Sequence, residues 1–230
     1  MVNSQPGDEV LCVETAHVRE YEVGAAAALS GVQFRTLPGP RGHMTPDQVS
    51  AAIERSNYHL PRISSLVWEN THTASGGTVV PIDLMEHTTA VARRAGLGIH
   101  LDGARILNAV AKTGVSAEGY ARVADTMQFC FSKGLGAPIG SILCGPADLF
   151  DEARYVRKRL GGGMRQVGCI AAAARVALRS RERLGEPHAL GGGRARARVR
   201  RFLGAVDLDL EEEAVDLRLG KGIGAFHLDR

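Results

Sequence analysis

Short apolar runs alternate with amphipathic segments along most of this 230-residue chain, and this alternation constrains its fold more than any other feature. Several apolar runs lack the polar alternation of a half-exposed strand, which is typical of strands that are buried on both faces. We predict strands at Glu9–Val13, Gln33–Leu37, Ile63–Trp68, Leu97–Leu101, Thr126–Phe131 and Ser141–Cys144. We predict helices at Tyr21–Ser30, Pro46–Arg55, Ile82–Ala95, Arg105–Lys112 and Ala147–Leu160, and a longer one from Gln166 to about Leu184. The pattern predicts an α/β fold, with a mostly parallel central sheet and helices on both faces.

Two helix boundaries carry clear local signals. Thr45 is a good capping residue, because Pro46 stands at the first helical position and Gln48 lies three residues beyond the cap. Gly96 is suited to end a helix before the next strand.

Composition indicates the class of protein and its expected cellular location. The net charge is +3, and 44% of the residues are hydrophobic, which is ordinary for a soluble globular protein. No apolar stretch reaches the length of a membrane span, and the first ten residues lack the basic-then-apolar pattern of a signal peptide. We therefore expect a cytoplasmic protein with no membrane partner.

The four cysteines are widely separated and form no Cys-x-x-Cys pair: they are Cys12, Cys130, Cys144 and Cys169. Three of them fall in apolar strand-like or helical runs, which favours reduced core thiols over a disulfide framework or a metal site. No metal is expected.

A basic run from Arg175 to Arg201 contains nine arginines. It lacks interleaved aromatic residues, and acidic residues follow it, so a solvated helix face and linker is favoured over a nucleic-acid site.

The pattern changes after Gly185, where a glycine run, a basic stretch and an acidic stretch follow one another. We predict a large domain over residues 1–184. Residues 185–230 are expected to be a linker and the remnant of a small C-terminal domain, poorly ordered because they are too short for a core of their own.

Two residues at predicted strand ends suggest a cofactor site. Asp102 ends one apolar run, and Lys133 follows another, in a glycine-containing segment that lets backbone approach a ligand closely. The carboxyl ends of strands are where open α/β sheets bind ligands. A carboxylate for the pyridine nitrogen and a lysine for covalent attachment are the two groups that a pyridoxal-phosphate site needs. Alone, each residue could equally be a helix-capping acid or a solvated lysine.

Four sequence blocks carry a more specific resemblance. They are Glu69–His72 with Gly76 and Gly77, His100–Asn108, Phe131–Ser141 and Gly161–Gln166. In order and spacing, these blocks resemble the low-specificity L-threonine aldolase family, which is pyridoxal-phosphate-dependent and has the fold-type I, aspartate aminotransferase-like architecture. The resemblance extends from about Gly7 to Leu184, and it implies a large domain that is truncated at both ends.

The resemblance implies roles around the cofactor. Lys133 matches the lysine that bonds covalently to pyridoxal 5'-phosphate, and Asp102 matches the acid that faces its pyridine nitrogen. Arg105 matches an arginine that binds a cofactor oxygen or the substrate carboxylate. His17 matches the histidine that stacks on the cofactor ring.

Three further residues gain roles in the same way. His72 matches a histidine close to the substrate hydroxyl, so His72 and His17 are both candidate catalytic residues, with their division of labour open. Lys158 and Arg165 match basic residues that reach the cofactor phosphate of a neighbouring subunit, which implies a homo-oligomer, either a dimer or a tetramer.

The implied activity is retro-aldol cleavage of L-threonine, L-allo-threonine or related β-hydroxy-α-amino acids to glycine and an aldehyde. Family members carry an N-terminal serine for the substrate carboxylate and a Thr-Gly helix start for the phosphate, neither of which has a counterpart in this sequence. Two alternatives therefore stay open: an inactive remnant of such an enzyme, and a pyridoxal-phosphate β-eliminating lyase.

Overall fold

A single six-stranded sheet organises the protein, whose computed structural model describes residues 2–185. The strands are β1 (Glu9–Val13), β2 (Gln33–Leu37), β3 (Ile63–Glu69), β4 (Gly98–Asp102), β5 (Thr126–Cys130) and β6 (Ser141–Cys144). Their order in the sheet is β2-β1-β3-β4-β5-β6. All neighbours are parallel except β5 and β6, which are antiparallel. The mostly parallel α/β fold is confirmed.

Helices connect the strands. They are α1 (His17–Glu20), α2 (Ala25–Ser30), α3 (Pro46–Glu54), α4 (Ile82–Arg94), α5 (Ile106–Thr113), α6 (Ala117–Ala121), α7 (Leu149–Arg159) and α8 (Gly168–Arg179), with short 3₁₀ turns at Pro40–Gly42 and Arg181–Gly185. None of the helices within residues 2–185 is long and apolar enough to cross a bilayer.

The predicted boundaries of two helices were wrong. The helix predicted at Tyr21–Ser30 begins only at Ala25, because Val23 and Gly24 adopt left-handed φ angles of 51° and 72° that interrupt helical hydrogen bonding. The helix predicted from Gln166 to Leu184 ends at Arg179 and gives way to the 3₁₀ turn.

The two faces of the sheet pack against different helices. On one face, the buried Trp68 indole donates to Thr89 of α4 at 3.1 Å, so α3 and α4 cover this side. On the other face, Val67 and His100 line a cavity of about 350 Å³ together with residues of α2 and α7. Burial lowers the pKa of His100, and the charge of Asp102 opposes that shift only in part. Helices thus lie on both faces, as predicted.

The cysteines follow the prediction only in part. Cys12 and Cys144 are buried thiols, and burial raises their pKa values to about 12 and about 11 respectively. Cys130 is half-buried, whereas Cys169 is exposed and is not a core thiol. All four are free. The predicted linker and C-terminal remnant, residues 185–230, lie outside the described residues except for Gly185.

The predicted start of α3 is present in full. The Thr45 hydroxyl accepts a hydrogen bond from the Gln48 amide at 3.3 Å, and the Gln48 side chain accepts from the Thr45 amide at 2.9 Å. This reciprocal pair satisfies two amides that would otherwise lack helical partners.

Replacing Thr45 with alanine removes that hydroxyl. We expect Thr45→Ala to lower the free energy of unfolding by about 1 kcal/mol, as measured by chemical denaturation, because one amide of the first turn loses its acceptor. Thr45→Ser keeps the hydroxyl and serves as the matched control. Equal unfolding free energies for the alanine and serine variants would contradict a stabilising role for the cap.

Candidate active site

The carboxyl ends of β3, β4 and β5 form the edge of the sheet at which most of the predicted site residues lie. Glu69 ends β3 and pairs in register with Asp102, which ends β4. Residues that pair in register across parallel strands point to the same face, about 4.8 Å apart. The Asn70 amide donates to the Asp102 carbonyl at 3.0 Å and continues this pairing into the next loop. Two carboxyl groups therefore stand side by side at this edge.

The Asp102 carboxylate is oriented by groups from its own loop and from the neighbouring strand. Its Oδ1 accepts hydrogen bonds from the Ala104 amide at 3.1 Å and from the Gln128 side chain at 2.5 Å. No donor among residues 2–185 reaches Oδ2. One oxygen is therefore held in place while the other has capacity for a ligand.

Lys133 lies in the loop that leaves β5, next to the strand that carries Asp102. Buried Leu135 and Ala137 fix this loop, and the Lys133 carbonyl accepts from the Gly136 amide at 2.9 Å. Gly134 packs directly against the Asn108 side chain, where a Cβ atom would overlap it. The Lys133 side chain is half-buried, and its amine forms no hydrogen bond or ion pair with the described part of the chain.

The other carboxylate, Glu69, is only 6% exposed and connects two segments of the chain. Its Oε2 accepts from the His17 amide at 2.9 Å, and its Oε1 accepts from the Thr73 amide at 2.8 Å. The first segment is the loop that leaves β1 and ends at His17, the first residue of α1, and the second is the loop that follows β3. Glu69 therefore joins segments that are 52 residues apart.

His72 is fully buried beside this carboxylate. Its Nδ1 shares a hydrogen bond with the Ser75 hydroxyl at 2.9 Å. Its Nε2 lies 3.6 Å from Glu69 Oε2, which is beyond hydrogen-bond distance, and has no hydrogen-bond partner among the described residues. Gly42 packs against the ring: a Cβ atom there would lie 2.5 Å from the imidazole Cγ.

His17 is the more accessible of the two histidines. Its side chain is 30% exposed, its Nδ1 lies 3.0 Å from a carboxylate oxygen of Glu22, and its ring stacks on Tyr21 at 5.2 Å between centroids. A half-exposed imidazole with a carboxylate partner can both stack on a planar ligand and exchange protons.

Arg105 stands immediately before α5 and points its guanidinium toward the second loop. Its Nη1 donates to the Thr73 hydroxyl at 2.9 Å. A cavity of about 900 Å³ opens beside it, also lined by Arg41 and Lys112. No acidic residue lines this cavity, so an anionic group would be favoured near Arg105.

Lys158 and Arg165 lie apart from this cluster. Lys158 is in the last turn of α7, where its amine donates to the Gly163 carbonyl at 3.4 Å, and Arg165 is in the exposed loop that follows. Neither residue has a hydrogen bond to the other predicted site residues. Their predicted contact with a neighbouring subunit stays a prediction.

Sequence reasoning overlooked several residues that shape the site. Glu69 and Gln128 orient other groups, Gly42 packs on His72, and Glu22 pairs with His17. Only Glu69 had a sequence signal, since it begins the first of the four blocks.

The residues at this edge fit pyridoxal phosphate in the chemistry of their donor groups. Lys133 offers an unpartnered amine, and Asp102 offers an oriented carboxylate with one uncommitted oxygen. Arg105 offers a cation for a carboxylate or a cofactor oxygen. These groups suit the aldehyde, the ring nitrogen and an anionic substituent of such a cofactor or its substrate.

Comparison with known proteins gives a consistent result. A family model described as beta-eliminating lyase matches residues 1–212. The chain is 39% identical over 175 residues to low-specificity L-threonine aldolase 1 of Arabidopsis thaliana, covering 75% of this chain and 49% of the relative. It is 37% identical over 184 residues to the low specificity L-threonine aldolase of Escherichia coli, covering 79% of this chain and 54% of the relative.

The fold has a solved counterpart. The threonine aldolase structure from Leishmania major matches with a TM-score of 0.72 and 23% identity, covering 80% of this chain and 54% of that chain. This match shows the fold alone. The chain spans about half the length of the curated relatives it matches.

Gly42→Ala tests the contact between Gly42 and His72. Gly42 has a φ of 80°, and Gly96 has a φ of 77° but nothing within 4 Å of its would-be Cβ. Alanine at Gly96 therefore measures backbone strain alone, roughly 1 kcal/mol. We expect Gly42→Ala to lower the free energy of unfolding by a further 1–3 kcal/mol or so, because the methyl group must displace the buried ring. Equal decreases in the free energy of unfolding of the two variants, measured by chemical denaturation, would show that the contact with the ring does not affect stability.

Proposed function

Because this chain belongs to the beta-eliminating lyase family, whose enzymes use pyridoxal phosphate, we propose that it carries the catalytic site for retro-aldol cleavage of β-hydroxy-α-amino acids. The substrates proposed are L-threonine, L-allo-threonine and related amino acids, and the products are glycine and an aldehyde. The observation that most supports the proposal is that Asp102 ends β4 while Lys133 follows β5, the adjacent strand, and that each has uncommitted binding capacity.

Four side chains would hold the cofactor and the substrate. Lys133 would attach the cofactor covalently, and Asp102 would face its pyridine nitrogen. Arg105 would bind the substrate carboxylate, and His17 would stack on the ring. When bound, pyridoxal phosphate supplies an electron sink for the pair released as the Cα–Cβ bond breaks.

The protein must also move protons. Cleavage removes the proton of the β-hydroxyl, releases the aldehyde and returns a proton to Cα, which completes glycine. His17 is the accessible imidazole and would accept the hydroxyl proton directly or through water. His72 is fully buried and would act indirectly: its hydrogen bond to Ser75 would stabilise the loop that contains Thr73.

Lys158 and Arg165 are proposed to bind the phosphate of a neighbouring subunit's cofactor, within a homo-oligomer. Their exposure and positive charge support this role. A monomer by analytical ultracentrifugation, with cofactor bound, would rule it out.

Cofactor binding gives the first test. We expect the purified protein to develop a visible absorption band with pyridoxal phosphate, and Lys133→Ala to abolish it, because the amine that forms the covalent bond is gone. Lys112→Ala is the control for covalent attachment: Lys112 is an exposed lysine on α5 that lines the cavity beside Arg105, and its removal should leave the band in place because it does not form the covalent bond. A band that persists in Lys133→Ala would refute the assignment of Lys133.

Product analysis identifies the reaction. With L-threonine or L-allo-threonine, the proposal predicts glycine and acetaldehyde in equal amounts, at a rate that Lys133→Ala reduces by at least about a thousandfold, as expected when the covalent catalytic group is removed. A 2-keto acid and ammonia would instead indicate β-elimination. A protein that binds the cofactor but forms neither set of products would support the inactive remnant.

A further inference from the structure

Glu69 accepts one hydrogen bond from each of two loops. The His17 loop runs from the end of β1 to the start of α1, and the Thr73 loop follows β3. The His17 and Thr73 amides donate to its two carboxylate oxygens, at 2.9 and 2.8 Å. Neither amide donates to a backbone carbonyl in the part of the chain that the structure describes. Both donors are half-buried, and the carboxylate that accepts from them is buried, so separating either pair would leave the buried carboxylate without a donor. The carboxylate therefore restricts where each loop can lie.

Three candidate site residues depend on this carboxylate. His17 is held through its own amide, and His72 faces Oε2 at 3.6 Å between nitrogen and oxygen. Arg105 is held one step further away, because the Thr73 hydroxyl that accepts from its guanidinium belongs to the residue whose amide Glu69 binds.

We propose that Glu69 is a positioning residue that sets the distance between the His17 loop and the Thr73 loop, and with it the placement of His17, His72 and Arg105. The roles of these three residues in binding and catalysis rest on the proposed function, but the hydrogen bonds to Glu69 do not require the cofactor. It also explains why a glutamate is suited to this position. A glutamine has one acceptor oxygen, and its amide nitrogen would face the second N–H donor.

Hydrogen exchange in the cofactor-free protein tests the hydrogen bonds without any assumption about activity. In the wild-type protein, the His17 and Thr73 amides should be protected although neither belongs to a helical or strand hydrogen-bond ladder. Rapid exchange of both amides in the wild-type protein would overturn the proposal. This measurement decides the matter even if every variant at Glu69 fails to fold.

Glu69→Gln is the informative variant, and Glu54→Gln is its control, because Glu54 lies on the exposed face of α3. In Glu69→Gln, at least one of the two loop amides should exchange about tenfold faster or more, because a hydrogen bond to a charged acceptor is lost. Amides of Leu66 and Leu101, inside β3 and β4, should keep their protection. Unchanged exchange of both loop amides, or an equal increase in exchange of the strand amides, would overturn the positioning role of Glu69.

Chemical modification gives an independent measure of His72. Its ring should resist diethyl pyrocarbonate in the wild-type protein and in Glu54→Gln, and react at least about tenfold faster in Glu69→Gln as its loop loosens. His100, which is half-buried on β4 and hydrogen-bonded to Thr126, is the internal reference, with peptide mapping by mass spectrometry to separate the histidines. Equal increases at His72 and His100 would overturn the positioning role.

Kinetics connect the inference to the proposed function. If the wild-type protein is an aldolase, Glu69→Gln should lower kcat by more than it raises KM, because misplacement of His17 and Arg105 affects the reacting geometry most. A change confined to KM would contradict this. A wild-type protein without aldolase activity would refute the proposed function, while the exchange results would still decide the role of Glu69.

Discussion

The parallel pairing of β3 with β4 is the constraint on which the rest of the site depends. It brings the last residues of both strands, Glu69 and Asp102, to the same face and the same edge of the sheet. The two carboxyl groups differ in their hydrogen bonds. Asp102 has one oxygen without a donor among the described residues, whereas both oxygens of Glu69 accept hydrogen bonds from backbone amides. One carboxylate is available to a ligand, and the other organises the loops around it.

Energetics explain how a buried carboxylate can occupy such a position. Removing a carboxylate from water is costly unless its oxygens receive hydrogen bonds, and Glu69 receives two from amides that themselves need acceptors. Each such bond to a charged acceptor contributes roughly 1.5–3 kcal/mol. The amides and the carboxylate therefore stabilise one another, and neither loop can move away without leaving a buried group unpaired.

The sequence predicted the sheet closely, because the hydrophobic runs that form β1 and β6 are bounded by polar residues or glycines. It predicted Asp102 and Lys133 from their positions at strand ends. It did not predict where α2 begins, since the left-handed φ of 51° at Val23 is rare for a β-branched residue and no sequence signal indicates it. It also gave no role to Glu69, because the partner amide of His17 lies 52 residues away and no periodicity reports such a pairing. Gly42 was overlooked for the same reason: its need for a hydrogen side chain arises only when the His72 ring packs against it.

The two histidines show how residues of one type can differ in their surroundings. The family resemblance makes both candidate catalytic residues, with His17 on the cofactor ring and His72 close to the substrate hydroxyl. In the structure, His17 is 30% exposed beside Glu22, and His72 is fully buried between a hydroxyl and a carboxylate. A group that exchanges protons with a substrate must reach it or reach a water molecule that does. Of the two imidazoles, only that of His17 is accessible to solvent. Glu69 binds the His17 amide and faces the His72 ring, so the placement of the accessible imidazole and that of the buried one are set by the same carboxylate.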